Sequence, residues 1–246
     1  MTPTPVGMRC PECSRETTKV RTARNLHPDP VLTYVLIALN VMAYIGSLSS
    51  GGGLARRGGG SVIDNGALFG PAIAHQDEYW RLVTSGFLHA GLIHIGFNMY
   101  LLYILGQMLE PEIGRLRFGL LYVTSLFGGA FGALLVSPGS YTVGASGAVF
   151  GLMGAAVVSM RARGFDPMSS GIPALIGLNL LITLVIPGIS IGGHLGGLAA
   201  GAAGAYLLVG REGRRGGRAV GLAGCGALAV IAAAAAIAVA GGSGLQ

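Results

Sequence analysis

Charge is what this chain has least of. Charged residues fill 11% of its 246 positions against 52% hydrophobic ones, which excludes a soluble domain with a wet surface. A mean hydropathy of +0.65 places the chain in a bilayer. Cysteine is scarce too, with only Cys10, Cys13 and Cys225. Cys10 and Cys13 have the spacing of half a zinc knuckle, but a four-ligand site needs two more ligands and only His27 lies near. The expectation is therefore no metal and no cofactor, with two free thiols in a short tail. Zinc on Cys10 and Cys13 is the alternative if the tail dimerises or if the natural chain starts further upstream. Cys225 lies in an apolar segment and reads as a small core residue. The first 30 residues have no apolar run, so no cleavable leader is expected among them and the first span is expected to serve as the membrane address.

What the chain does have is apolar runs near the 20 residues that a membrane span requires. They lie at 31–49, 86–108, 116–137, 144–160, 172–187, 191–209 and 219–241. The expected fold is an all-α polytopic membrane helix bundle, a six-helix core with a seventh, C-terminal transmembrane helix. The organisation follows as a tail over 1–30, the core over 31–210, a basic connection over 211–218, and the seventh helix with its short tail over 219–246. The segment 172–187 is the weakest, because it is short and holds Pro173 and Asn179, and it needs neighbours that satisfy its freed backbone groups. Most of the 44 glycines sit inside the apolar runs, where small residues let helices approach closely. The exception is the glycine-rich stretch 51–61, a flexible connection.

A net charge of +6 could suggest a nucleic-acid partner, yet the basic residues fall in the connections between spans, so none is expected. With the N-terminus in the cytoplasm, 13 of the 16 basic residues are inside and only Arg56, Arg57 and Arg81 are outside. The positive-inside rule therefore orients a multi-pass protein of the plasma membrane, whose second, fourth and sixth spans start at the outer face.

At that face Gly144-Ala145-Ser146-Gly147 opens the fourth span and His194 the sixth. A hydroxyl attacks poorly until an imidazole takes its proton, so a serine and a histidine at one depth are the minimum for a nucleophile and its base. Ser146 lies near a helix N-terminus, whose free N–H groups face any oxyanion, and Gly144 and Gly147 permit close substrate approach. Read alone, this tetrapeptide is more often a packing face. His194 carries Gly197 and Gly201 at i+3 and i+7 on its face, which lets its helix pack tightly. Histidine in a bilayer is a functional candidate, and a merely hydrogen-bonded core histidine is the alternative. Asp166 and Glu212 fall on the cytoplasmic side, so the expected constellation is a dyad.

His94 and Asn98 are i and i+4 in the second span and can present two neutral donors to an oxyanion, unless they only glue helices together. His89 is expected to point away and hold the outer loop or the helix start. Trp80 and Arg81 read as an interfacial aromatic and a snorkelling arginine, or as an anchor for the 50–80 connection.

Together, Trp80-Arg81, His89, His94 with Asn98, Gly144-Ala145-Ser146-Gly147, and His194 with Gly197 and Gly201 resemble the rhomboid family of intramembrane serine proteases, over roughly residues 75–210. The resemblance implies Ser146 as nucleophile, His194 as general base, and an oxyanion hole of His94, Asn98 and the Ser146 N–H. It further implies that Trp80-Arg81 belongs to a first loop partly sunk in the outer leaflet, and that Phe150 stacks on His194. The cysteine-bearing tail and seventh helix look like rhomboids of high-GC Gram-positive bacteria.

The expected activity is cleavage of transmembrane protein substrates near their extracytoplasmic end, where a substrate helix must unwind locally, so small or glycine-rich segments should be preferred. A non-catalytic rhomboid-like membrane binding protein is the alternative, although such proteins typically lack the serine or histidine kept here. A small transporter would need matching broken helices in two halves, and none is seen.

Overall fold

The computed structural model describes residues 2–4, 7–9, 29–50, 60–210 and 216–242. Cys10, Cys13, His27, the stretch 51–59 and residues 211–215 lie outside the described residues. Among those described, five helices are long and apolar enough to cross a membrane. They are α1 (Val31–Ser49), α5 (Leu92–Ile113), α6 (Arg115–Val136), α9 (Ile191–Val209) and α10 (Gly217–Gly242). Two shorter apolar helices, α7 (Ser146–Ala162) and α8 (Ile172–Val185), complete the bundle. The connection after α1 folds into α2 (Ser61–Gly66), α3 (Gly70–Gln76) and α4 (Arg81–Thr84). The protein is thus an all-α polytopic membrane bundle. One small addition is an antiparallel pair of three-residue strands in the tail, β1 (Thr2–Thr4) with β2 (Gly7–Arg9).

The second span departs from its expected start at residue 86. Ser85–Phe87 is a 3-10 turn, residues 88 and 91 are extended, and helix begins at Leu92. The reason is that apolarity marks what is buried, not what is helical. A Cβ at Gly86 would land on the Leu126 side chain, so this turn is pressed against α6 rather than wound into a helix of its own. Only one residue, Gly114, joins α5 to α6, at φ +86°, a conformation that glycine adopts without the Cβ clash of other residues.

Helix α1 starts after Pro30 with no side-chain cap of its own. Its cap comes from α5. The buried Glu110 side chain accepts from Leu32 N (2.8 Å), Thr33 N (2.7 Å) and Thr33 Oγ1 (2.7 Å), so its oxygens are held by donors at a helix N-terminus. The main core is built by Leu102, Leu105 and Leu109 of α5, Phe118 and Leu121 of α6, and Leu152 and Met153 of α7.

Helix α7 is the central post, buried without interruption from Ala148 to Ala156. Its 17 residues make about 25 Å, less than the roughly 30 Å of a bilayer core. Against it stands α9, whose side chains are deleted where the two helices meet. A Cβ at Gly197 would strike the Gly147 carbonyl, and one at Gly201 the Gly151 carbonyl. On the other flank Gly192 and Gly196 of α9 meet Gly132 and Gly128 of α6 in the same way. Helix α10 covers α6, with Cys225 fully buried and its Sγ 3.4 Å from Thr124 Oγ1. Its C-terminal half reaches α3, where Ala236 and Ala240 share a cluster with Ile73 and Leu134.

Candidate active site

The loop before α7 is what brings Ser146 inward. Residues 137–145 cannot continue α6, and they are stitched to the folded connection after α1 by backbone pairs between Leu68 and Thr142 (2.9 and 3.0 Å) and from Gly70 N to Pro138 O (2.9 Å). Gly144 N donates to Ser85 O at 2.9 Å. Gly144 sits at φ +132° with the His94 ring against it; a Cβ there would lie 2.8 Å from His94 Nε2, so both the backbone angle and the close approach require glycine.

Helix α9 begins with a conventional cap. The Ser190 hydroxyl accepts from Gly193 N at 3.0 Å, and His194 follows in the first turn. The glycine contacts set the height of α9 against α7, and His194 Nε2 lies 2.9 Å from Ser146 Oγ. On the ring's flank Phe150 stacks at 4.1 Å between centroids and 17° between planes. The other ring nitrogen, Nδ1, lies 2.7 Å from Thr183 Oγ1 on α8. His194 is 7% exposed and Ser146 half-buried, so the imidazole is screened from bulk water while the hydroxyl keeps some access.

Proton counting gives His94 a direction. Its Nδ1 accepts the Ala90 N–H at 3.4 Å, which leaves the proton of a neutral ring on Nε2, the atom that abuts Gly144. Asn98 has one amide N–H occupied by its own helix, Nδ2 to His94 O at 2.9 Å, and the other available. His89 holds the loop before α7, in keeping with its expected role, but its ring turns toward His94 rather than away. Because it lies before the helix, in the extended stretch, helical counting does not apply to it. Its Nε2 accepts from Ala145 N at 3.5 Å and its ring meets that of His94 edge-on at 5.0 Å. A cavity of about 30 Å³ opens beside Ser146 and His194, lined in part by Ser85, Gly86, Thr142, Gly144 and Ser190. That is room for a water or two among polar partners.

Residues 76–211 match the Rhomboid domain family model. The chain belongs to the rhomboid family. Similar proteins include RHOMBOID-like protein 1 of Arabidopsis thaliana, 38% identical over 141 residues, which are 55% of this chain and 36% of that protein. The Rhomboid protease GluP of Bacillus subtilis is 33% identical over 175 residues, 70% of this chain and 34% of that protein. Rhomboid-like protease 1 of Toxoplasma gondii is 34% identical over 139 residues, 53% of this chain and 47% of that protein. The chain spans between about a third and a half of the length of these relatives.

The rhomboid match runs from the end of α3 to the end of α9 and encloses every residue of the site. Ser146, His194, Phe150, His94 and His89 converge around Gly144, while Gly147, Gly197 and Gly201 form the seam behind them. Trp80 and Arg81 stand apart, in the wall of the first loop. Arg81 does not snorkel. It is 4% exposed, donates to Asp64 O (2.8 Å) and Ala67 O (2.7 Å), and pairs with Glu78 at 2.5 Å, so it ties α2, α3 and α4 together. Trp80 Nε1 donates to Asn65 O at 3.1 Å in the same loop.

Thr183 and Ser190 went unmarked in the sequence. A signal for Thr183 exists: Asn179 and Thr183 are the two polar side chains of α8, four residues apart and so on one face.

Proposed function

We propose that this rhomboid is an intramembrane serine endopeptidase that cleaves transmembrane proteins near their extracytoplasmic end. The observation that carries the reading is the 2.9 Å contact between Ser146 Oγ and His194 Nε2 inside a bundle built to exclude water. Ser146 Oγ attacks the scissile carbonyl while His194 Nε2 takes its proton. The negative oxygen that forms meets the N–H groups at the start of α7, His94 Nε2–H and the free N–H of Asn98. His194 then protonates the departing amine, and an acyl ester remains on Ser146. A water entering by the adjoining cavity gives its proton to His194 and its oxygen to the ester carbon, which frees the second product and restores the hydroxyl.

The charge asymmetry of the connections supports a cytoplasmic N-terminus and a site facing outward, and the plasma membrane is the proposed location. The proposed substrate is a membrane-spanning helix: Ser146 opens a short apolar helix of the bundle, such a substrate can present a peptide bond there once it unwinds, and helices rich in small residues unwind at least cost. Two relatives carry protease in their names, which supports the same reaction class.

The test is cleavage of a helical substrate with small residues at its outer end by the purified protein in liposomes, beside Ser146→Ala and His194→Ala. Loss of cleavage in both, together with fluorophosphonate labelling confined to proteins that keep Ser146, is the expected result. Cleavage by Ser146→Ala would remove the nucleophile assignment. Binding of the substrate without cleavage by the unaltered protein would favour a non-catalytic rhomboid.

A further inference from the structure

We propose that Thr183 is the positioning residue that fixes the tautomer of His194, filling with a hydroxyl the place that a carboxylate holds in soluble serine proteases. The inference rests on the dyad proposed above and adds a third member to it.

The argument is a count of protons. Thr183 Oγ1 lies 2.7 Å from Asn179 O and 2.7 Å from His194 Nδ1, and it has one hydrogen. A carbonyl oxygen can only accept, so that hydrogen goes to Asn179 O, one turn back along α8. Toward His194 the hydroxyl is then left with lone pairs alone. For the 2.7 Å contact to be a hydrogen bond, Nδ1 must carry the proton and donate it. A neutral imidazole has a single N–H, so Nε2 is bare, and its lone pair faces Ser146 Oγ at 2.9 Å. That is the state a general base needs before it can accept the serine proton. With the opposite tautomer Nε2–H would point at the serine, and the ring could not take its proton.

Surroundings make this assignment consequential. Phe150 fixes the plane of the ring by stacking but offers nothing to either nitrogen. Thr183 and His194 are 5% and 7% exposed, so water has little access to substitute for the hydroxyl at Nδ1. When Nε2 accepts the serine proton, the imidazolium also gains from the oxygen at Nδ1, although less than it would from a carboxylate.

The experiment uses the full chain in liposomes with 15N-labelled histidine, compared among the unaltered protein, Thr183→Val and Thr183→Ser. Valine keeps the shape and removes the oxygen, whereas serine keeps the oxygen. His194 resonances, identified by their loss in His194→Ala, are expected to show a protonated Nδ1 in the unaltered protein and in Thr183→Ser, and a shift toward protonated Nε2 in Thr183→Val. Parallel cleavage assays are expected to show kcat down about tenfold or more in Thr183→Val with KM within twofold, and recovery to within about threefold in Thr183→Ser. A protonated Nε2 in the unaltered protein, or a Thr183→Val variant with unchanged tautomer and kcat, would overturn the proposal. If the unaltered protein cleaves nothing, the protease reading fails, while the resonances still decide the role of Thr183.

Discussion

The walls on either side of the candidate site are held by opposite means. Behind Ser146, α7 meets α9 backbone to backbone, with Gly147 and Gly151 facing Gly197 and Gly201 and no side chain between them. In front, the folded connection of residues 60–88 is held by one guanidinium and several carbonyls, with Arg81 reaching Asp64, Ala67 and Glu78. Where no water competes and both surfaces are apolar, contact area and close approach supply the attraction. Where the chain is irregular, its carbonyls must find donors inside the protein, and an arginine serves several at once. The first arrangement sets distance and tolerates no added atom; the second sets shape and tolerates graded loss.

The sharpest way to break the comparison is Gly201→Val. A Cβ there lands on the Gly151 backbone, and since backbone cannot step aside, the expected loss is about 3 kcal/mol or more, visible in thermal unfolding in detergent. Cleavage should fall with it, because the Ser146 to His194 distance depends on the seam. Arg81→Gln comes next. It abolishes the pair with Glu78 and leaves buried carbonyls short of a donor, for an expected loss of about 2 kcal/mol and increased protease sensitivity of the 60–88 connection, with helix content unchanged. Smallest should be Trp80→Phe. Trp80 is 51% exposed and gives one hydrogen bond to Asn65 O, so a shift of about 0.5–1 kcal/mol is expected. If Arg81→Gln proved costlier than Gly201→Val, the two walls would have to be ranked the other way.

Much of this was legible beforehand, and for identifiable reasons. Bilayer insertion demands long apolar runs, so the helices could be located from hydropathy, and the glycines within them marked where helices touch. Span order and charge asymmetry brought Ser146 and His194 into one frame before any distance was known, and the resemblance to rhomboids gave them roles. Three features resisted. The start of α5 was displaced because the buried loop at 85–91 is as apolar as a helix, and with it the side to which the His89 ring turns, though not its role in holding a loop. Arg81 was readable either as a snorkelling cation or as an anchor of the 50–80 connection, and the choice stayed open because two of its acceptors are backbone carbonyls, which leave no trace in a sequence. Thr183 was silent because a single threonine in an apolar run reads as packing, and its meaning depends on the carbonyl at Asn179 taking its only proton.

The cap that Glu110 places on α1 has a bearing on how the molecule is made. The groups it joins are 77 and 78 residues apart, and α1 emerges from the ribosome long before them. Until the last turn of α5 is in the bilayer, the amides of Leu32 and Thr33 lack the carboxylate that accepts from them in the finished bundle. Insertion of the first span and its seating are therefore separate events, and the register of α1 in the finished bundle is written by a residue synthesised much later.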